Sequence, residues 1–430
     1  MSDRPNIIMI TAHDIGRHLG CYGVPQAGTP NLDRLAGEGV KFTSFFSAAP
    51  QCSPARAALA TGRYPHSNGV LGICSPVFGF DLGEGEVHLA EHLKELGYRT
   101  ARMGSVHETM HPESLPFDHT GAWENARSGA VAAVSYIESA SAPFFLQIGT
   151  RGAHRPFTDP PYEESGIYLP PWLEDEPQAR GELAAYQGAI HALDACVGKI
   201  LEGLEKSGKG ENTLVMFFSD HGIPFPRAKH SLYEPGCAAA AIFRLRSRGW
   251  SGGKAVGSMI SGVDLLPTIL ELLGKEIPYN IQGRSFYALL DGGDYQERDA
   301  AFTEQSFNAW TDISRAVRTD RFKLIANFSP GRGFSDSSQT WRPETKVSFL
   351  ENAVRTYHPP FELYDLEADP LETTNRADAS EYSETAVDMK RRLREWMLKT
   401  DDPLMNGPPV PPQYHWTMAG LELPWRDEER

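Results

Sequence analysis

The sequence predicts an α/β protein in which a large, mostly parallel sheet is sandwiched by helices, with a smaller C-terminal α+β part built on an antiparallel sheet. Two observations carry this prediction. Apolar runs of strand length alternate with longer segments of helical periodicity, as in parallel sheets that are covered on both faces. After about residue 300 this alternation gives way to strand and turn patterns with one closing helix.

The first part of the chain contains the apolar and amphipathic segments that predict the large sheet and its helices. The strands are NIIMIT (6–11), KFTSFFS (41–47), YRTARMG (98–104), PFFLQIGT (143–150) and TLVMFFSD (213–220). The helices are 29–40, 53–62, 88–97, 128–139, 182–208 and 263–274. Thr29 and Pro30 suit the N-cap and the first position of the earliest helix.

The C-terminal part is predicted from fewer segments. Residues 314–327 and 361–375 are typical of strands and turns, and residues 384–400 have the pattern of one amphipathic helix. A proline-rich stretch at 403–412 is expected to wrap over the surface. The predicted domains are therefore a large α/β domain at 1–300, an antiparallel-sheet subdomain with a closing helix at 301–402, and a tail at 403–430.

Composition excludes several classes of protein. The chain has 430 residues, of which 40% are hydrophobic and 23% charged, as in an ordinary globular protein with a large core. Its net charge of −15 argues against a nucleic-acid partner or an anionic membrane surface. No segment approaches the roughly 20 apolar residues of a membrane helix. Because no leader-like segment follows Met1, we expect a cytoplasmic location.

The cysteines do not form a recognisable framework. Their number is odd and their spacing is irregular, which disfavours both a set of disulfides and a zinc ribbon. They are Cys21, Cys52, Cys74, Cys196 and Cys237. Each is therefore judged by its own surroundings.

Polar side chains follow the predicted strands at the point where each strand ends. His13-Asp14, His107, His154 and Asp220-His221 all occupy such positions. Ligands of open α/β sheets bind at the carboxyl ends of the strands, so these side chains are expected to share one site. The two Asp/His pairs can supply four oxygen and nitrogen ligands to one metal ion. Each pair alone is more typical of an ordinary turn, and only the two together favour a metal site.

Cys52 is predicted to lie at the start of a helix. Pro54 favours the first turn, and the partial positive charge there is expected to lower the pKa of the Cys52 thiol. Arg56 follows by four residues, so its side chain can return to the same turn. An inert cysteine near a helix start is the open alternative for these two residues taken alone.

A resemblance unites these segments. CSPARAALATGR (52–63) resembles the Cys-x-Pro-x-Arg modification motif of the formylglycine-dependent (type I) sulfatases, within the alkaline-phosphatase-like superfamily. The other similar segments follow in the order of that family. They are RPNIIMITAHDIG, GYRTARMGSVHE, PFFLQIGTRGAHRPF, NTLVMFFSDHGIPFPRAKHSLYEPG, GVDLLPTILELLG, IQGRSF and ELYDLEADPLETTN. SDHGIPFP is most similar to the N-sulfoglucosamine sulfohydrolase (sulfamidase) branch.

The resemblance implies a metal site and a modified cysteine. Cys52 would be oxidised to formylglycine by a formylglycine-generating enzyme, which is an expected partner in maturation. One divalent metal would be held by His13, Asp14, Asp220 and His221, with Cys52 beside it. Ca²⁺ is the family's habit, whereas Mn²⁺ or Zn²⁺ becomes an option because His13 stands where the family usually has an acid.

The resemblance also implies catalytic roles. One hydroxyl of the hydrated formylglycine attacks sulfur, with Asp220 activating it and Arg56 orienting the diol. His154, or Lys229, protonates the leaving group, and His107 takes the proton of the second hydroxyl. Lys229 also contacts the sulfate. The family's lysine two residues before the histidine of MGSVHE is replaced here by Ser105.

The function predicted in this way is that of a hydrolase acting on a sulfate ester or a sulfamate. Its partner would be a small anionic sulfated or sulfamated substrate, with sugars among the candidates, and neither nucleic acid nor a membrane; a homo-oligomer is compatible with the sequence. A phosphonate monoester or phosphodiester hydrolase on the same scaffold is the alternative enzyme. A non-catalytic sulfatase-like binding protein is the alternative outside enzymes, and the intact Cys52, Arg56 and Lys229 argue against it.

Overall fold

The computed structural model describes residues 4–121, 126–163, 166–307, 311–329 and 358–421. The strands are β1 Asn6–Ala12, β2 Val40–Phe42, β3 Phe45–Phe46, β4 Arg99–Gly104, β5 His119–Gly121, β6 Phe144–Thr150, β7 Thr213–Ser219, β8 Ala241–Arg244, β9 Lys254–Val256, β10 Ile260–Ser261, β11 Ala301–Phe307, β12 Thr311–Arg318, β13 Phe322–Asn327 and β14 Phe361–Asp365. The α-helices are α1 Pro30–Glu38, α2 Cys52–Thr61, α3 Pro65–Asn68, α4 Leu89–Glu95, α5 Ala126–Ser139, α6 Pro177–Lys206, α7 Glu234–Cys237, α8 Leu265–Leu272, α9 Tyr287–Asp291, α10 Ser383–Lys399 and α11 Pro412–Leu421.

A mixed sheet of eight strands forms the centre of the described molecule. Its order is β5-β4-β6-β1-β7-β8-β2-β9. The strands from β5 to β7 are all parallel, whereas β8 runs antiparallel to both of its neighbours. Every residue of β1, β6 and β7 is buried, as expected for apolar strands covered on both faces. The predicted fold class, with its mostly parallel sheet between helices, is confirmed.

Alternate side chains of β1 serve two separate cores. Ile8 and Ile10 belong to the cluster that includes Leu193 and Val197 of α6. Ile7 belongs to the cluster on the other face, with the side chains of α4 and α8. Complete burial of an aliphatic side chain is worth about 1.5–3 kcal/mol, so each face holds its helices firmly.

The C-terminal part is a four-stranded antiparallel sheet with α10 packed on it. The strand order is β11-β12-β13-β14, which confirms the predicted antiparallel sheet. Leu393 and Trp396 of α10 share a buried cluster with Val317 and Leu324 of the sheet. Ala58 of α2 belongs to the same cluster, so α2 is packed between the large sheet and the C-terminal sheet.

Three features differ from the sequence-based expectations or lie outside them. The segment 41–47, predicted as one strand, forms β2 and β3 in different sheets. The predicted tail contains the helix α11, which was not expected from the proline-rich stretch, and residues 422–430 lie outside the described residues.

The domain boundaries at 300 and 402 stay predictions. In the described part of the chain, no helix combines the length and apolarity needed to cross a membrane, and the cytoplasmic location stays a prediction.

Candidate active site

The carboxyl ends of β1 and β7 bring the two Asp/His pairs together. These strands are parallel neighbours with Ala12 opposite Ser219, so His13 and Asp14 leave one strand where Asp220 leaves the next. The backbone N–H of Asp14 donates to Asp220 Oδ1 at 3.0 Å, and the N–H of Asp220 donates to the carbonyl of Ala12 at 3.1 Å. The sequence-based prediction that they lie side by side therefore agrees with the structure.

Asp14 is held in an unusual backbone conformation. Its φ is 59°, in the left-handed region that Asp tolerates better than most residues. The hydroxyl of Tyr186, on α6, donates to the Asp14 carbonyl at 2.7 Å and supports this conformation. The turn after β7 needs a glycine for a different reason, because a Cβ on Gly222 would lie 1.9 Å from the carbonyl oxygen of Pro235.

Cys52 begins α2 and points its thiol at the two pairs. Its Sγ lies 3.3 Å from Nε2 of His221 and 3.9 Å from Oδ1 of Asp14. The expectation of a lowered thiol pKa is wrong. Burial, together with the carboxylates of Asp14 and Asp220, raises the pKa of Cys52 to about 12 and outweighs the charges of Lys229 and Arg56.

Two cations neutralise the two aspartates. Lys229 Nζ donates to Oδ1 and Oδ2 of Asp14 at 2.9 and 2.8 Å, while Arg56 Nε donates to Asp220 Oδ2 at 3.1 Å. All four side chains are buried. Burial alone would lower the pKa of Lys229, but the facing Asp14 carboxylate raises it above its usual range. Burial alone would likewise raise the pKa of Asp14, yet Lys229 holds it below its usual range.

His13 is buried without a hydrogen bond. Its side chain is 0% exposed, and among the described residues neither ring nitrogen has a hydrogen-bond partner, although Nδ1 lies 3.2 Å from Asp220 Oδ2. Burial first, and then the charge of Arg56, lowers the pKa of His13 well below its usual value, so the imidazole is neutral and keeps a free lone pair.

The donor atoms around His13 fit a divalent metal. Donor atoms of His13, Asp14, Cys52 and Asp220 all lie within 4.8 Å of one another. Because the imidazole of His13 has no hydrogen-bond partner among the described residues, it is available as a metal ligand. His221 does not complete this group, although its Nε2 lies 3.2 Å from Asp14 Oδ1. His221 Nδ1 contacts the Gly222 carbonyl at 3.0 Å, which orients the ring.

His107 and His154 flank His13. Their ring centroids lie 5.5 and 5.4 Å from that of His13. Burial, followed by the charges of Arg56 and Arg151, lowers the pKa of His107 to about 3. Burial and then Lys229 lower the pKa of His154 to about 4.

The contacts of His154 define its tautomer. Its Nδ1 lies 2.6 Å from the carbonyl of Arg155, a contact in which only Nδ1–H can donate. Nε2 of His154 is therefore the unprotonated nitrogen in the neutral ring. The structure thus gathers all predicted site residues in one place, and their catalytic and metal-binding roles stay predictions.

Glu108 is a buried side chain of the site that sequence reasoning missed. It accepts hydrogen bonds from the His107 N–H at 2.8 Å and from Gln147 Nε2 at 2.7 Å. His88 Nε2 lies 3.4 Å away. Burial would raise the pKa of Glu108, but His88 and Arg56 lower it to about 2, so this carboxylate adds a third negative charge. Its adjacency to His107 in MGSVHE was the available signal.

Ser105 occupies the position that carries a lysine in the resembling family. Its N–H donates to the Gly149 carbonyl at 2.9 Å. Its own carbonyl packs so tightly on β6 that a Cβ on Gly149 would lie 1.9 Å from it. The ends of β4 and β6 are therefore locked together here, without a cation at residue 105.

Comparisons with known proteins agree on one family. Residues 5–275 match the family model described as Sulfatase, and residues 228–334 match the one described as N-sulphoglucosamine sulphohydrolase, C-terminal. An ulvan-active sulfatase of Formosa agariphila is 27% identical over 94% of this chain and 76% of its own length. Human N-sulphoglucosamine sulphohydrolase is also 27% identical, over 94% of this chain and 92% of its own.

The fold is shared with solved structures as well. One of them is a complex with its substrate D-glucosamine-2-N,6-O-disulfate; it superposes with a TM-score of 0.73 at 19% identity, covering 93% of this chain and 99% of that one. At this identity the likeness concerns the fold.

Proposed function

Because the chain belongs to the sulfatase family, we propose that it hydrolyses a sulfate ester or a sulfamate of a sugar with a formylglycine made from Cys52. The observation that carries this proposal is the position of Cys52. Its Sγ faces Asp14 and His221 at the first residue of a buried helix, within the group of possible metal donors. A structural cysteine would need none of these neighbours.

The raised pKa of Cys52 agrees with a residue that acts after conversion. A thiolate nucleophile would need a lowered pKa, whereas this buried thiol stays protonated. When Cys52 is converted to formylglycine, its hydrated aldehyde supplies one hydroxyl that attacks sulfur and a second whose loss of a proton releases sulfate. Arg56, which is bonded to Asp220, holds that acid next to the attacking group.

We propose that His13, Asp14 and Asp220 hold one divalent cation, with His221 at its edge. The candidate is Ca²⁺ first, and Mn²⁺ or Zn²⁺ because the donor set includes imidazole nitrogen. A cation bound there would supply positive charge beside the sulfo oxygens and favour deprotonation of the attacking hydroxyl. Lys229, already bonded to both oxygens of Asp14, holds that carboxylate in place for it.

His154 is the proposed donor of the proton to the leaving group. Lys229 is the poorer candidate, because its raised pKa and its two bonds to Asp14 make it a weak acid. His154 keeps Nε2 free, and an anionic substrate beside the ring would raise the low pKa of this histidine towards the working range. His107, whose Nδ1 forms no hydrogen bond with the part of the chain that the structure describes, is the proposed acceptor of the second proton.

The substrate is proposed to be a sulfated or sulfamated sugar. The match of residues 228–334 to the C-terminal model of N-sulphoglucosamine sulphohydrolase supports it. The fold shared with a protein solved with a sulfated glucosamine is compatible with it.

Three measurements test this function on protein co-expressed with a formylglycine-generating enzyme. Turnover of a nitrophenyl sulfate, an N-sulfoglucosamine and a phosphonate monoester is compared, and the sulfur substrates are expected to be cleaved faster. Peptide mass spectrometry should find the aldehyde at Cys52, and elemental analysis should find one divalent metal per chain. A faster phosphonate reaction would contradict the proposed activity, and full turnover without metal would remove the cation from it.

A further inference from the structure

The two cationic side chains at the centre of the site are already paired with carboxylates. Lys229 is bonded to Asp14, and Arg56 to Asp220. Glu108 adds a buried carboxylate close enough to Arg56 for the two charges to interact. These five side chains carry two positive and three negative charges, and Ser105 contributes none. With the proposed divalent cation bound, the net charge of this group is only +1, which just balances the single charge of a sulfate ester. Further positive charge would therefore favour binding of the sulfo group.

Arg151 lies where that charge is needed. It directly follows β6, which lies between β4 and β1 in the sheet. Thr150 is opposite Ala12 of β1, and Gly149 is opposite Gly104 of β4. The next residues, Arg151, His13 and Ser105, therefore leave neighbouring strands at the same edge.

The loop after β6 folds back on the site. The His154 N–H donates to the Arg151 carbonyl at 3.0 Å, which makes a tight turn, and the His154 ring ends 5.4 Å from the ring of His13. Arg151 is thus one turn from the proposed proton donor. Its charge also contributes, after burial and other cations, to the low pKa values of both His107 and His154. The guanidinium is therefore within electrostatic reach of both rings.

Arg151 is also free to bind. It is exposed, and with the residues that the structure describes its guanidinium forms neither a hydrogen bond nor an ion pair. By contrast, Arg155, four residues further on, is buried and paired with Glu182. An unpaired guanidinium at the rim of this site is suited to oxyanions, which it can contact through two parallel N–H groups.

We propose that Arg151 binds the sulfo group of the substrate and supplies the positive charge that Ser105 does not. This inference rests on the proposed function, and it makes Arg151 a substrate-binding residue beside His107 and His154. The sulfo group is then bound by an arginine that follows β6, whereas the family usually has a lysine at the position of Ser105, which follows β4.

Binding of inorganic sulfate tests the inference without any turnover. Calorimetry on the metal-loaded protein would compare the wild type, Arg151→Ala and Arg151→Lys, with Arg394→Ala as the control for an exposed arginine on α10. Loss of one charge-assisted contact should weaken sulfate binding by about tenfold to a hundredfold in Arg151→Ala. Arg151→Lys should keep part of the affinity, and Arg394→Ala should keep all of it.

A rescue distinguishes a charge effect from a local disturbance. Adding Ser105→Lys to Arg151→Ala places a cation at the family's position and should restore much of the sulfate affinity. Sulfate affinity that is unchanged in Arg151→Ala would overturn the inference, and a raised KM for a sulfated sugar alone would assign Arg151 to the organic part instead.

The proposed function fails separately. A wild type that binds sulfate but turns over none of the sulfur substrates would contradict the activity, while the calorimetric comparison would still decide the role of Arg151. Failure of the wild type to bind sulfate at all would overturn the role of Arg151, whereas turnover of the sulfur substrates would still decide the activity.

Discussion

In the described part of the chain, two buried groups place a histidine and carboxylates within 4.8 Å of one another, and their hydrogen bonding differs. The first is the site around His13. The second, which we call the interface cluster, consists of His66, Glu304, Arg315 and Asp402. It joins α3 to β11, β12 and the segment after α10.

In the interface cluster, each charged side chain lies beside a side chain of opposite charge. His66 Nδ1 contacts Glu304, and its Nε2 lies 3.2 Å from the carbonyl of Thr400. Arg315 donates to Asp402 at 2.6 and 3.2 Å and lies 3.6 Å from Glu304. The positive charge of this cluster is thus supplied by the protein itself, and the carboxylates need no metal ion.

The two groups differ in whether the hydrogen-bonding capacity of the histidine is satisfied. Proximity of carboxylates and a histidine is common to both groups, so it does not separate a metal site from a structural network. The orphaned nitrogens of His13 do separate them, because buried polar groups in a purely structural role are normally satisfied. Changes in the site should therefore alter activity, and changes in the interface cluster should alter stability.

The largest effect is expected from Cys52→Ala. Removing the proposed nucleophile should lower turnover on the order of 10⁴-fold or more. Cys196→Ala is the control, because Cys196 is equally buried but lies on α6 in the apolar core. It should keep its activity per folded molecule. Turnover of nitrophenyl sulfate by the two variants decides the point, and comparable losses in both would contradict a special role for Cys52.

Arg315→Met is expected to show the reverse pattern. It removes the guanidinium that pairs with Asp402 and faces Glu304, and breaking such a buried pair costs about 3–5 kcal/mol in the free energy of unfolding. Arg394→Met, on the exposed face of α10, should change it by less than about 0.5 kcal/mol. Urea denaturation measures both. If Arg315→Met instead abolished turnover at unchanged stability, the interface cluster would be functional and the contrast would fail.

A third variant sharpens the contrast inside the site. If His154 protonates the leaving group, His154→Ala should slow cleavage of a sulfamate about a hundredfold, because an amine must be protonated as it leaves. Nitrophenyl sulfate should be affected much less, since nitrophenolate leaves without help. His191→Ala is the control, because His191 also contacts a backbone carbonyl through Nδ1, that of Gly28. Equal losses on both substrates would make His154 a sulfate-positioning residue.

The sequence predicted the parts of the site that depend on strands and their ends. The apolar runs before His13 and Asp220 fixed both strands, and parallel neighbours must end at one edge. The helix at Cys52 followed from Pro54 and from Gly62, whose φ of 67° closes α2.

The remaining features depend on tertiary contacts that no local pattern encodes. The raised pKa of Cys52 results from burial and from carboxylates distant in the sequence. The free guanidinium of Arg151 was invisible for the same reason, because a lack of partners is a property of the folded chain. The interface cluster could not be predicted either, because Glu and Asp residues such as Glu304 and Asp402 are usually exposed.

The smallest expected effect concerns pH and the interface cluster. Burial alone would lower the pKa of His66, but the carboxylates of Glu304 and Asp402 raise it above the ordinary value. A histidine whose pKa is raised in the folded state stabilises the fold fully below its unfolded pKa of about 6.5 and loses this contribution as the pH rises through the folded value. Stability should therefore fall above neutral pH, by at most about 1.4 kcal/mol per pH unit for this one proton. Urea denaturation of the wild type and of His66→Gln between mildly acidic and alkaline pH checks it. The two should differ most at acidic pH and converge at alkaline pH, whereas a difference that grew with pH would show that His66 is neutral in the fold and that the cluster is held by Arg315 alone.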